Sequence, residues 1–327
     1  MSVIETKSLT KNYHTRVKSE GLKAGFKSLL KPEYKDIMAV QSIDMQVERG
    51  EMVAFIGPNG AGKSTFIKML CGILQPTSGE ISVLGLSPIK NRIELAMQIG
   101  TVFGQKSQLW FHLPALDSFT LLAAIYEIND DERKRRVGEL SERFELGDFL
   151  NTPVRKLSLG QRVRCEIAAS LLHNPQLLFL DEPTIGLDVV VKQAIRELIL
   201  EKNRESDITV FLTSHDPADV EFLTKRAIVI DHGSIVMDSS VEQLKSEYIK
   251  ERIVEISFSS PQTVPHFEGV NMVEEEGGLK FKLTIEKNIN EVMRILYAMN
   301  DVTDITVSNP PMESIIARIF TEQEKQI

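Results

Sequence analysis

Residues 57–65 read Gly57-Pro58-Asn59-Gly60-Ala61-Gly62-Lys63-Ser64-Thr65, and the spacing G-x-x-x-x-G-K-[ST] belongs to loops that wrap backbone N–H groups around phosphate. The glycines let the chain curl, and the helix start that follows favours negative charge. Lys63 has the reach for β and γ phosphates, and the Ser64 hydroxyl suits magnesium. A nucleoside triphosphate is the ligand class this loop predicts. A second feature supplies the groups that hydrolysis needs. The apolar run Leu177 to Leu180 ends in Asp181-Glu182, which places adjacent carboxylates at the carboxyl edge of a sheet, where ligands of α/β proteins bind. Asp181 suits a magnesium ion. Glu182 suits a general base or water-orienting group, because phosphoryl transfer depends on positioned charge. An isolated Asp-Glu pair is ordinarily solvated surface; here four apolar residues precede it.

The elements that must position these groups follow from periodicity. AVQSIDMQV alternates, ERGE marks a turn and MVAFI is a continuous apolar run, so residues 40 to 56 predict two strands. Phe66, Ile67, Met69, Leu70 and Ile73 share a helix face, which makes 52–74 strand, glycine-rich turn and helix. QLLFLDEP and ITVFLTSH read as buried strands, with VVVKQAIRELILEKNRE as a helix between them. That rhythm predicts an α/β core on a mostly parallel sheet. Residues 115 to 172 read instead as an inserted helical region, with DDERKRRVGELSERF as its solvated face.

The 327 residues suggest about two domains, and 26% charged with 42% hydrophobic residues is ordinary globular usage. A net charge of −8 argues against generic binding to nucleic acid. Residues 241–327 hold 15 acidic and 9 basic side chains, so most of the excess sits there. In that part RIVEISF, LKFKLTI and VTDITVS read as strands, NINEVMRILYAM and MESIIARIF as helices, and PQTVPHFEG and EEEGG as loops, a small α+β domain. The richest apolar stretch, Cys165 to Leu180, is broken by Glu166, His173, Asn174 and Pro175, so no membrane span is expected. No secretory signal is read at the start, which favours a cytosolic location. Cys71 and Cys165 read as buried small hydrophobes.

Three further pieces complete a pattern: Gln105 in TVFGQKSQLW, Ser158 in KLSLGQR, and His215 in LTSHD, with Gly186-Leu187-Asp188 after the Asp-Glu pair. Their order over residues 1 to 240 resembles the nucleotide-binding subunit of ABC transporters. The resemblance implies a P-loop NTPase fold with an inserted helical subdomain at about 106–172, an ATP-binding domain over 1–240 and an accessory domain over 241–327. It implies ATP and Mg2+, sandwiched between two subunits so that the P-loop of one faces the signature segment of the other. Carried over, Ser158, Gly160 and Gln161 would meet the nucleotide across the dimer and Asp188 would lie in the turn linking the two sites. Gln105 would touch magnesium and the attacking water, and His215 the γ-phosphate. Bland readings stand beside these: Ser158 as an ordinary cap of the helix VRCEIAASLL, His215 as a core histidine, Gln105 as a loop polar residue. The sequence departs from the family at Leu159, where glycine is usual; leucine keeps the amide but disfavours positive φ.

Other segments resemble a subgroup. Lys11-Asn12-Tyr13 matches the setting of the aromatic that stacks on adenine, with Tyr34 as the other candidate. Between them Leu22, Phe26, Leu29 and Leu30 follow helical spacing while Lys23, Lys27 and Lys31 share another side, which suits either an anionic lipid surface or packing on the chain's own domain. Trp110 and Phe111 lie in the loop that receives the permease in this family; core packing is the alternative. The wording FGQKSQLW and PTIGLD is most similar to the ATPase subunits of drug-resistance-type bacterial exporters. The expected protein is an ATP-hydrolysing subunit, peripheral on the inner face of the cell membrane, that pairs with a second such subunit and a separately encoded permease, for export. A soluble ATPase acting on ribosomes or nucleic acid is the rival. A nucleotide-gated module without turnover is a third class, which Glu182 opposes.

Overall fold

The computed structural model describes residues 2–16, 34–104, 107–214, 216–248 and 251–324. It begins with two antiparallel strands, β1 (Ser2–Arg16) and β2 (Tyr34–Glu48), paired as far as Arg16↔Tyr34. The basic segment between them lies outside the described residues. β3 (Met52–Ile56) feeds α1 (Lys63–Leu70), and β4 (Ser78–Val83) returns to the free side of β1, giving a three-stranded sheet in the order β2-β1-β4. The sequence reading does not predict β1, because register shifts between Thr6 and Leu9 break its alternation.

A six-stranded sheet runs β5 (Ile99–Phe103), β6 (Leu177–Asp181), β7 (Thr209–Thr213), β3, β8 (Arg226–Asp231), β9 (Ser234–Ser240). The pairs from β5 to β8 are all parallel, as expected for apolar runs covered on both faces. The short helix α2 (Arg92–Ala96) leads into β5. The chain then makes a helical excursion through α3 (Ala115–Ile125), α4 (Asp130–Arg143), a 3-10 turn at Val154–Lys156 and α5 (Leu159–Leu171) before it re-enters the sheet at β6. α6 (Val189–Ser206) crosses from β6 to β7, and α7 (Pro217–Leu223) connects β7 to β8. Phe66 of α1 stacks on Phe55 of β3 with centroids 4.9 Å apart, and both meet Phe211 of β7. This aromatic cluster anchors α1 on the sheet from which its loop emerges. Cys71 and Cys165 are buried free thiols, and burial pushes the Cys165 thiol up to about 12.

The chain splits into two compact units, Met1–Ser239 and Ser240–Ile327. The second contains α8 (Val241–Tyr248), β10 (Arg252–Phe258), β11 (Val270–Glu275), β12 (Lys280–Ile285), α9 (Ile289–Tyr297), β13 (Val302–Ser308) and α10 (Met312–Glu324). Its four strands form an antiparallel sheet in the order β11-β12-β10-β13, over a core that includes Val254, Ile256, Phe281, Leu283 and Leu296. EEEGG is only partly a loop: Glu274 and Glu275 end β11, and the turn begins at Glu276. Among the described residues no helix is long and apolar enough to cross a membrane.

Candidate functional site

Strand register assembles the site. Phe103 of β5 sits beside Asp181 of β6, Asp181 beside Thr213 of β7, and Thr213 beside Phe55 of β3. Three of these strands therefore end level and β3 runs one residue further, so the segments that follow leave the same edge side by side. The ladder extends one residue further, as the N–H of Gly104 donates to Asp181 O at 2.9 Å and that of Glu182 to Thr213 O at 3.0 Å. Glu182 adopts a left-handed φ of 57°, which costs a non-glycine residue about 1–3 kcal/mol. The chain thus turns sharply where its second carboxylate stands.

The loop from Gly57 to Gly62 enters this edge from β3. Gly62 has φ 108°, and a Cβ there would fall 2.2 Å from Ala39 O, so glycine is required. It is also the N-cap of α1 and offers no side-chain bond, which leaves first-turn amides for a ligand. Lys63 is buried, and its Nζ donates to Gly57 O at 2.6 Å and Pro58 O at 3.0 Å, so the lysine folds back over its own loop. Burial holds its pKa below the usual 10.5, with Glu182 and then Asp181 opposing that effect. Asp181 Oδ1 accepts from Thr213 Oγ1 at 2.6 Å and from Ser64 Oγ at 3.4 Å.

A cleft of about 500 Å³ opens here, lined by Asn59, Gly60, Gly62, Lys63, Ser64, Thr65, Asp181 and Glu182 together with Ala39, Lys68, Ile73, Phe103, Gly104 and Ile185. The two features first picked out in the sequence thus share one cavity. Gly57, Pro58 and Ala61 shape the loop without lining that cleft. Tyr13, on β1, is outside the lining, with Lys11 Nζ 5.3 Å from its ring centroid. Tyr34 opens β2. Gln105 and His215 lie outside the described residues.

Ser158, Gly160, Gln161 and Asp188 form a separate group that does not line the cleft. Ser158 caps α5: its Oγ accepts from the Gln161 N–H at 3.2 Å, while Gln161 Oε1 accepts from the Ser158 N–H at 3.0 Å. Asp188 caps α6 by accepting from the Val191 N–H at 3.0 Å. The two helix starts meet closely, since a Cβ on Gly160 would lie 3.0 Å from Val191 Cγ1. Leu159 begins α5 without positive φ, so its departure from glycine imposes no left-handed strain.

Two groups escaped the sequence reading. Glu166, buried on α5, accepts from Ser107 Oγ and from the Gln108 N–H at 3.1 Å, which fastens the segment after Gln105 to the helix that Ser158 caps. Burial raises its pKa against those bonds. Its only sequence signal is a carboxylate on the apolar helix VRCEIAASLL. Thr213, which holds Asp181, is the inconspicuous threonine of LTSH, at the end of its strand. Trp110 and Phe111 are 40% and 50% exposed, so neither is a core residue.

The ABC transporter family model matches residues 40–185. The ABC transporter ATP-binding protein NatA of Bacillus subtilis (strain 168) is 33% identical over 224 residues, 68% of this chain and 89% of that protein. The daunorubicin resistance ATP-binding protein DrrA3 of Streptomyces coeruleorubidus is 34% identical over 224 residues, 67% of this chain and 69% of its own length. The dimeric structure of a post-hydrolysis state of the ATP-binding cassette MJ0796, bound to ADP and Pi, superposes with a TM-score of 0.61 at 28% identity, covering 73% of this chain and 98% of that one. These relatives favour transport over work on ribosomes or nucleic acid. A glycine-rich loop and an Asp-Glu pair sharing one cleft, on a fold and sequence related to these cassettes, place the chain in the ABC transporter family, as an ATP-binding and ATP-hydrolysing subunit.

Proposed function

We propose that residues 1–240 bind and hydrolyse ATP to power a separately encoded permease, for export, at the inner face of the cell membrane, and that 241–327 form an accessory domain. The similarity to a daunorubicin resistance protein supports the export direction. In this reading the amides of Gly57 to Thr65 cradle the phosphates and Lys63 neutralises them. Ser64 and Asp181 fit Mg2+, because they bring two hard oxygen donors together at the loop; with Gln105 they would hold the ion, which would neutralise developing charge on the phosphates when bound. Glu182 orients and deprotonates the attacking water, His215 contacts the γ-phosphate, and Tyr13 stacks on adenine. Trp110 and Phe111 dock the permease.

The shared-site reading is supported by the similarity to a dimeric cassette structure bound to ADP and Pi, and by the grouping of Ser158, Gly160, Gln161 and Asp188 at two adjacent helix starts apart from the cleft in this chain. Each cleft is then completed by these residues of a second cassette subunit. Lys63→Ala damages the loop and Ser158→Arg the signature, so either homodimer lacks an intact site. In a mixed dimer the loop of the Ser158 variant faces the signature of the Lys63 variant, which restores one site of two. Isolated mixed dimers should regain stable ATP capture; capture no better than in the parent homodimers rejects the shared geometry. If the natural partner is a different cassette, each variant is paired with it accordingly.

A further inference from the structure

Asp219, on α7, is fully buried, yet its carboxylate is saturated by three donors from three separate segments. Oδ1 accepts from Arg196 Nε of α6 at 2.7 Å. Oδ2 accepts from Thr184 Oγ1 at 2.6 Å and from Ser214 Oγ at 2.6 Å. Thr184 stands two residues after Glu182, Ser214 immediately precedes His215, and Arg196 is on the helix that Asp188 caps. Asp216, on the other side of His215, is tied into the same network. Its Oδ2 accepts from Lys192 Nζ at 2.6 Å and forms an ion pair with Arg196 Nη2 at 3.2 Å, and its N–H donates to Ser214 Oγ at 2.9 Å. Ser214 Oγ therefore spans position 215, accepting from one flank while donating to the buried carboxylate.

We infer that Asp219 is a positioning residue for ATP hydrolysis, which acts through Ser214 to set the backbone on both sides of His215 relative to the Glu182 turn and the helix after Asp188. The inference rests on the reading that His215 contacts the γ-phosphate. Charge decides why a carboxylate is used. Only an acceptor with several lone pairs satisfies two hydroxyls and a guanidinium at once, and a buried Arg196 needs compensating negative charge. None of the three donors belongs to α7 itself, so the carboxylate fixes distances between segments that local backbone geometry leaves independent. A brace serving stability alone would accept any arrangement that satisfied Arg196; this one sends a hydroxyl from each of the turns that follow β6 and β7 to a single oxygen.

The test uses the full chain assembled with its permease, and measures kcat, KM for ATP and melting temperature. Ser214→Ala removes the hydroxyl spanning position 215 and keeps the Arg196–Asp219 ion pair, so folding is preserved. Asp219→Asn keeps the shape and removes the charge. His215→Ala and the double variant Ser214→Ala/His215→Ala complete the set. Expected are a kcat at least tenfold lower in Ser214→Ala with KM changed less than threefold, a similar or larger loss in Asp219→Asn, and no further loss in the double variant over His215→Ala. A structural brace would instead lower melting temperature and leave the kcat of the folded fraction intact, which overturns the inference. Losses that multiply in the double variant overturn it as well, because Ser214 would then act independently of His215. Parental turnover in Ser214→Ala beside a defective His215→Ala rejects the inference alone. Parental turnover in His215→Ala rejects the reading of His215, and the inference falls with it.

Discussion

Replacing Glu182 by glutamine tests the core of the chemistry. The amide matches the carboxylate in size, and the backbone bond from the Glu182 N–H to Thr213 O at 3.0 Å does not involve the side chain. The left-handed turn, with φ 57°, is present in both proteins, so its strain cancels from the comparison. Lys63 is the group that notices the change: burial lowers its pKa, and Glu182 is the larger of the two carboxylate charges that offset this. Its pKa should fall further without the carboxylate, and fold stability should change by no more than about 1 kcal/mol, or about 3 °C for a unit of this size. The rate is another matter. Loss of a positioned general base removes about 100- to 10,000-fold, which is about 3–5 kcal/mol of transition-state stabilisation. Steady-state phosphate release gives kcat, and size-exclusion chromatography with labelled ATP reports dimers that retain nucleotide. Glu182→Gln should bind ATP within a few-fold of the parent, accumulate nucleotide-loaded dimers and turn over at least 100-fold more slowly. A kcat within about fivefold of the parent refutes the base assignment. A lost kcat accompanied by lost ATP binding refutes it differently, by showing that the charge serves Lys63 and the loop.

Alanine at both Trp110 and Phe111 should leave melting within about 3 °C of the parent, since both side chains are well exposed and the local bonds, Trp110 N–H to Ser118 Oγ and Arg155 N–H to Phe111 O, are made by their main chain. Co-purification with the permease should fall at least tenfold; undiminished recovery of the complex rejects the docking role. Glu166 has a folded pKa above its ordinary 4.5 through burial, so the native chain holds its proton more tightly than the unfolded one. Its contribution to stability is present below the unfolded pKa and lost as pH rises through the folded value. Urea titrations of the parent and of Glu166→Gln should diverge in pH dependence just above pH 4.5, where only the parent carries this declining contribution; parallel profiles reject it.

Local features were legible in the sequence. Gly57 to Thr65 and the Asp181-Glu182 pair after an apolar run stand out, and the structure brings them to one cleft, because tight backbone turns need glycine and a carboxylate after an apolar run needs a reason. The helix between the strands of 176–183 and 208–215, and the small α+β character of the last part, followed from periodicity, which reports the solvent on each face of one element. Long-range register was not legible. Ser64 and Asp181 are 117 residues apart in sequence, and they meet because β6 lies two strands from β3, with β7 between them. No local pattern states a strand order. The same limit hid β1, whose bulges blur its alternation, and the buried polar residues Glu166, Arg196 and Asp219. In sequence these are charges on helices, indistinguishable from solvated ones. Only the packed structure determines which charged side chains are removed from water, and each such residue must then find its donors or acceptors in segments far along the chain.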